Sequence, residues 1–171
     1  MTMEPFRILI VLSTTRWSRH LGEVAVREAT DAMKTERRVL IDALYVVEQD
    51  DINRIVHRAG DKGFLSDAAQ DTLVSTLLSE HDRVAQRRRQ RLADAVKNID
   101  ATITWEQVKG DYEAEVRRAV QSGPHDVIVL VQSKRSFLER LFQPADCAED
   151  DRVARWAKDE SGTRVLIEEG V

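Results

Sequence analysis

The chain has 171 residues, of which 42% are hydrophobic and 33% are charged, a balance typical of one globular domain and not of a disordered chain. The formal net charge of −4 excludes a general electrostatic attraction to nucleic acid or to an anionic membrane surface. Cys147 is the only cysteine, so an intrachain disulfide is excluded and we expect a cytoplasmic protein.

The first part of the chain predicts two strands, one helix and an irregular segment. Residues 6–12 (FRILIVL) form an apolar run typical of a strand buried on both faces of a parallel sheet, and this run is too short for a signal peptide or a membrane span. Apolar residues at helical spacing follow, and residues 39–47 (VLIDALYVV) predict a second strand that Asp42 interrupts. Residues 49–71 are polar and contain two glycines, so we expect an irregular insertion there.

The second part predicts one long helix and three further strands. The long helix covers residues 72–99, and residues 101–108 (ATITWEQV) predict the third strand. Residues 127–131 (VIVLV) and 164–167 (RVLI) predict the fourth and fifth strands, with Pro144 as a break in the helical region between them. The buried stripe of the long helix is marked by apolar residues at helical spacing: Val74, Leu78, Ala85, Leu92, Val96 and Ile99.

This alternation of strands and helices predicts an α/β fold. Right-handed crossovers imply a mainly parallel, five-stranded sheet with helices on both faces, in a single domain of residues 1–171. Ligands of such sheets bind beyond the carboxyl ends of the strands, at the point where strand order reverses. The loops to examine therefore follow Leu12, Val47, Val108 and Val131.

Several segments resemble one known family. They are FRILIVL at the first strand, GDKGFLSD before the long helix, GDYEAEVRRAV leading into HDVIVLV, and RSFLERLF after the fourth strand. In order and spacing, from Phe6 to Ile167, the chain is similar to the universal stress protein (UspA-like) family. The resemblance implies a Rossmann-like (adenine nucleotide alpha hydrolase-like) three-layer sandwich and a regulatory role in a stress response.

The family's ATP-binding signature is absent at the matching positions. Members that bind ATP carry G-x2-G-x9-G-[ST] after the fourth strand, and these positions fall on Val131, Lys134, Pro144 and Ala145. The family's aspartate after the first strand falls on Ser13. Side chains would stand where phosphate approaches the backbone, Pro144 supplies no N–H, and Ala145 supplies no hydroxyl. The resemblance thus predicts the family scaffold without its usual ATP site.

Two hypotheses follow from the resemblance. In the first, the chain is a regulatory module without a cofactor, which contacts an unidentified protein partner and forms a homodimer through its last strand. In the alternative, ATP or AMP binds an altered site. Lys134 would then contact phosphate, Ser13 and Ser133 would supply hydroxyls, and Val46 or Val47 would flank the base.

Other patterns favour ordinary structural roles. The arginines of residues 83–91 are partly neutralised by Glu80, Asp82 and Asp94 at neighbouring turns of the long helix, which favours a solvated face over a nucleic-acid interface. Arg88 lies beside the apolar stripe, so we expect its stem to pack and its guanidinium to pair internally. Thr14 and Thr15, with Ser13, either bind a ligand or form an ordinary turn, and Trp17 beside them is the aromatic residue that could line a pocket.

Catalysis and metal binding are not predicted. The four histidines lie far apart in sequence without metal-ligand spacing, and we expect surface or capping positions for them. No nucleophile, base and orienting group can be assembled, so we predict no enzyme, although weak nucleotide hydrolysis stays open.

Overall fold

A computed structural model describes residues 4–60, 66–133 and 144–170, with the backbone alone for residues 144–151. Strands and helices alternate along these residues. The elements in chain order are β1 (Phe6–Ser13), α1 (Leu21–Met33), β2 (Val39–Glu48), α2 (Gln49–Gly60), α3 (Asp67–Val96), β3 (Ala101–Gly110), α4 (Tyr112–Gln121), β4 (Val127–Val131), α5 (Pro144–Ser161) and β5 (Arg164–Glu168).

The five strands form one parallel sheet in the order β3-β2-β1-β4-β5. The chain builds outward from β1 to β3 on one side, and then crosses to β4 and β5 on the other. The strand order therefore reverses between β1 and β4, where a ligand site is expected in such folds. This confirms the predicted α/β class with its five-stranded parallel sheet.

Both faces of the sheet are covered because the strands carry apolar residues on both sides. Side chains such as Ile8, Ile10 and Tyr45 pack beneath α1 and α3. Leu9, Val11 and Val46 alternate with them and face α4 and α5. This two-sided burial is the reason that the strands read as apolar runs rather than as alternating patterns.

The predicted irregular insertion at residues 49–71 is wrong over most of its described length. Residues 49–60 form α2, and α3 begins at Asp67, before the predicted start at residue 72. Ile52 is buried and Val56 packs against the same core, so an i, i+4 pair of apolar residues anchors α2 despite its polar composition. The α3 start is fixed by Ser66, whose hydroxyl accepts a hydrogen bond from the Ala69 N–H.

None of the helices in the described ranges is both long and apolar enough to cross a membrane.

Candidate functional site at the carboxyl edge of the sheet

The carboxyl ends of β1, β2 and β4 meet where the strand order reverses, and we call this region the switch-point edge. It contains Ser13, Glu48 and Val131 at the ends of the three strands. The segment that follows β1, residues 14–20, is the β1 loop. These strand ends and the β1 loop supply the groups that could meet a ligand.

The structure brings some of the predicted site residues together and separates others. Ser13 and Val46 are partners in the β1–β2 ladder, and both side chains face α4. Ser133 is buried just beyond β4 at the same edge. Val131, in contrast, packs into the core beneath α1 and α3, on the opposite face from Ser13 and Val46.

The other predicted positions fall outside what the structure describes. Lys134 lies outside the described residues. Ala145 lies in α5, but its side chain, like that of Cys147, is not among the described atoms. The contribution of Lys134 and Ala145 to a nucleotide site therefore stays a prediction.

A buried guanidinium occupies the α4 side of the switch-point edge. Arg16, in the β1 loop, is only 2% exposed. Its Nη1 donates a 2.6 Å hydrogen bond to Oε1 of Glu48 at the end of β2. The guanidinium also stacks over the ring of Tyr112, the first residue of α4, at 3.8 Å from the ring centroid. The protein's own cation thus joins β1, β2 and α4 at the place where a ligand of this fold would bind.

The hydroxyl groups that were candidate ligand contacts are engaged by the protein itself. The Ser13 Oγ accepts a 3.2 Å hydrogen bond from the Arg16 N–H, and the Ser13 N–H donates to the Arg16 carbonyl at 3.2 Å. The Thr15 hydroxyl donates to Glu48 Oε1 at 3.2 Å. These contacts favour the turn-forming role for Ser13 and Thr15.

Helix α3 holds the other side of the β1 loop. The Arg88 guanidinium donates to the carbonyl oxygens of Ser13 and Thr14, the second at 2.8 Å. It also lies over the Trp17 ring at 5.2 Å. Burial lowers the pKa of Arg88, as expected for a guanidinium withdrawn from water. The predicted inward packing of Arg88 is confirmed, and Trp17 lines this contact.

A polar cluster next to Arg88 contains His81. The Thr14 hydroxyl lies 2.9 Å from the Tyr45 hydroxyl and 2.5 Å from Nδ1 of His81. His81 is buried, so the predicted surface or capping position is wrong for this residue. Burial lowers the pKa of His81, and the nearby carboxylates, with Asp51 first, oppose that shift.

His125 is the second histidine whose predicted surface position is wrong. It precedes β4 and is buried beneath α4, on the other face of the sheet from His81. Burial, followed by the charge of Arg7, lowers its pKa below the ordinary value.

The helical spacing of the sequence indicates the burial of His81, but no sequence pattern indicates the buried contact of Arg16. His81 continues the helical spacing of the α3 stripe between Leu78 and Ala85, so its phase placed it against the core. Arg16 stands in a polar loop, and its partner Glu48 lies 32 residues away. Only the tertiary fold brings that pair together.

In the part of the chain that the structure describes, one cavity lies at the end of β4. The cavity between Tyr112, Leu130 and Val153 has a volume of about 10 Å³, which is about the space needed by one water molecule. Among the residues that the structure describes, no three histidine, cysteine or carboxylate side chains are grouped closely enough to hold a metal ion.

Solved structures with the same fold include universal stress proteins. The chain superposes on the hypothetical protein MJ0577 with a TM-score of 0.59 and 13% identity, over 97% of each chain. It superposes on the universal stress protein UspA from Lactobacillus plantarum with a TM-score of 0.54 and 16% identity, over 97% of this chain and 99% of that one. No protein-family model and no curated protein sequence matches the chain.

These comparisons define the class of fold. The chain has the Rossmann-like α/β fold of universal stress protein structures, with one parallel sheet between two layers of helices. At 13% and 16% identity the similarity establishes the fold alone, because one fold hosts many functions.

Proposed function

We propose that this chain is a universal stress protein-like regulatory module that does not bind ATP in the manner usual for that family and acts through protein contacts. The observation that carries the proposal is the buried contact of Arg16 with Glu48 and Tyr112 at the switch-point edge. A nucleotide seated there would have to displace a cation that already has a carboxylate and an aromatic ring as partners.

Electrostatics supports the same proposal. Glu48 stands at the carboxyl end of β2 with only 14% of its side chain exposed, and the sequence of α5 carries four acidic residues within its first half. A triphosphate approaching this edge would meet carboxylates, while the nearby Arg16 guanidinium already donates to one of them. The family's three glycine positions fall on Val131, Lys134 and Pro144, and this also disfavours phosphate binding.

Thermal denaturation in the presence of ATP, ADP and AMP tests the proposal. A nucleotide present at 100 times its Kd stabilises a folded protein by about 2.7 kcal/mol, which raises the Tm of a chain of this size by about 5–10 °C. We expect no shift of that size with any of the three nucleotides, with or without Mg²⁺. A shift of several degrees, or a nucleotide that copurifies with the protein, would contradict the proposal.

The alternative is an ATP- or AMP-binding protein with an altered phosphate loop. It is favoured by the two hydroxyl-bearing residues, Ser13 and Ser133, that lie buried at the same edge. If the same thermal test detects a nucleotide, a Lys134→Ala variant separates the two accounts. Loss of binding in that variant would support the altered phosphate site, and unchanged affinity would refute the role given to Lys134.

We further propose that the module forms a homodimer through β5. Among the described strands, β5 pairs only with β4, which leaves its other edge available for strand pairing. Ile167 in β5 is 40% exposed, so its side chain is accessible to a partner strand.

Light scattering at micromolar concentration tests the dimer. Ile167→Lys should convert the dimer to a monomer because it places a charge in the interface. Ile55→Lys is a matched control, since Ile55 in α2 is 43% exposed but lies away from β5. A monomeric native protein would contradict the dimer, and a dimer that survives Ile167→Lys would contradict its placement at β5.

A further inference from the structure

A separate cavity of about 170 Å³ lies on the α4 face of the sheet, toward the amino ends of the strands. Its floor is formed by Arg7 of β1, Asp42 of β2 and Thr104 of β3. Its wall is the last part of α4 together with His125, which precedes β4. This cavity shares no lining residue with the contacts of Arg16 and Glu48 described above.

The floor of the cavity contains a fixed carboxylate. Asp42 is the residue that interrupts the apolar run of β2, and its side chain is half-buried. Its Oδ2 accepts hydrogen bonds from Arg7 Nη2 at 2.7 Å and Nε at 3.2 Å, and its Oδ1 accepts one from the Thr104 hydroxyl at 2.8 Å. A carboxylate in mid-strand is costly unless it is paired, and these bonds hold it in one orientation facing the cavity.

His125 adds an unengaged polar group. Its side chain is only 2% exposed, and its Nε2 lies 3.8 Å from Asp42 Oδ2, which is longer than a hydrogen bond. Within the described part of the chain, neither ring nitrogen of His125 has a hydrogen-bond partner. Burial lowers the pKa of His125 and so disfavours its charged form, and a neutral imidazole carries one donor and one acceptor nitrogen.

The rim of the cavity carries a second ion pair. Arg118 Nη2 donates to Glu106 Oε1 at 2.9 Å, and both side chains are about half exposed. The charged lining groups therefore consist of two guanidinium groups and two carboxylates, paired with one another. An anion would meet the carboxylates and a cation would meet the guanidinium groups, whereas a neutral hydroxyl group can use donors and acceptors of both kinds.

The volume limits the size of the occupant. By the same measure the cavity at the end of β4 has about 10 Å³, so the cavity of about 170 Å³ is too large for a single water molecule or ion. A polyol of three or four carbons fits within it.

We propose that this cavity binds a small neutral polyol whose hydroxyl groups hydrogen-bond to His125, Asp42 and the Glu106–Arg118 pair. The ring nitrogens of His125 gain partners in the complex, and the adjoining Leu9 and Leu44 contact the carbon chain. The binding does not depend on the state of the switch-point edge, and it goes beyond the regulatory role proposed above.

Titration of the full chain with erythritol, followed by amide chemical shifts in two-dimensional NMR spectra, tests this site. We expect saturable shifts around Thr104 and His125, with a dissociation constant in the millimolar range (about −4 kcal/mol at 1 mM). His125→Phe keeps the ring and removes both nitrogens, so it should weaken binding by about tenfold or more. His20→Phe is the matched control, because His20 is exposed in the β1 loop, and it should bind as the native chain does.

Any one of three results would overturn the proposal. These results are the absence of saturable shifts near the cavity, unchanged affinity in His125→Phe, and binding of serine or inorganic phosphate in place of erythritol. If His125→Phe does not fold, Thr104→Val takes its place, since it removes one cavity hydroxyl from an exposed strand with little change of shape. That variant should weaken erythritol binding several-fold, and unchanged affinity would contradict the site.

Discussion

Arg16 is the single residue on which the proposed state of the switch-point edge depends most. A hydrogen bond to a charged group contributes about 1.5–3 kcal/mol to the free energy of unfolding when it is buried. Glu48→Gln removes the carboxylate charge that accepts from Arg16, so we predict a loss of about that size in chemical denaturation.

The matched control for this change is Glu23→Gln. Glu23 is 80% exposed and pairs only with His20 at the start of α1, so its substitution should change stability by less than about 0.5 kcal/mol. An equal effect of the two substitutions would show that the Arg16–Glu48 pair contributes little.

The two buried histidines predict a pH dependence of stability. Burial lowers the pKa of both His81 and His125 from the ordinary 6.5, so the unfolded chain binds more protons as the pH falls through that value. The free energy of unfolding should therefore be highest above about pH 7 and decrease toward about pH 5.5. Asp51, whose pKa burial raises above the ordinary 3.8, contributes with the opposite sign, because the folded chain then binds more protons than the unfolded chain above that value.

Urea denaturation at a series of pH values measures this slope. Replacing either histidine by phenylalanine removes one titrating group and should make the slope shallower between about pH 7 and about pH 5.5. Stability that is constant or increases on acidification in this range would contradict the burial of neutral imidazoles.

The packing of a residue could be predicted from the sequence when its main contacts lie close to it in the chain. The inward packing of Arg88 followed from its phase on α3, because helical spacing alone places it beside Ala85 and Leu92. Arg16 gave no such signal, since Glu48 and Tyr112 are distant in sequence and belong to other elements. Val131 matched a motif position by spacing, yet the alternation of β4 directs it to the α1 and α3 layer.

At the scale of elements, α3 is the support of the β1 loop. Arg88 reaches from the middle of α3 to the backbone carbonyl oxygens of Ser13 and Thr14. Arg88→Met keeps the apolar stem and removes these hydrogen bonds, so we predict faster amide hydrogen exchange at Arg16, whose N–H bonds to Ser13 Oγ.

Arg87→Met is the control on the same helix, because Arg87 is exposed and makes no contact with the β1 loop in the described structure. It should leave hydrogen exchange in the β1 loop unchanged. Equal exchange rates in the two variants would refute the role of α3 in holding this loop.

Among the secondary-structure elements, the strands were predicted better than the polar helix α2. Most of the strands follow from apolar runs and β3 from partial alternation, and the observed strand ends differ from the predicted ones by two residues or fewer. Helix α2 was missed because its buried contacts reduce to Ile52 and Val56, too few to stand out in a polar segment of 12 residues. The packing of those two residues against α3 is a tertiary effect that overrides the composition of the segment.

At the scale of the whole molecule, the fold depends on a pattern that many sequences share, whereas the candidate site depends on a few side chains. The parallel sheet and its two helical layers match universal stress protein structures at low sequence identity, since many sequences satisfy the same pattern of buried strands. The switch-point edge depends on a few side chains, and here those side chains contact each other. The central claim is that the contacts of Arg16 with Glu48 and Tyr112 keep a nucleotide from binding at this edge.

Isothermal titration calorimetry of the native 171-residue chain with Mg-ATP tests that claim most directly. With Arg16 held between Glu48 and Tyr112, we predict no saturable heat up to about 1 mM ATP, a concentration that would reveal any site binding more tightly than about −4 kcal/mol. A saturable isotherm with one nucleotide per chain and a micromolar dissociation constant would contradict it.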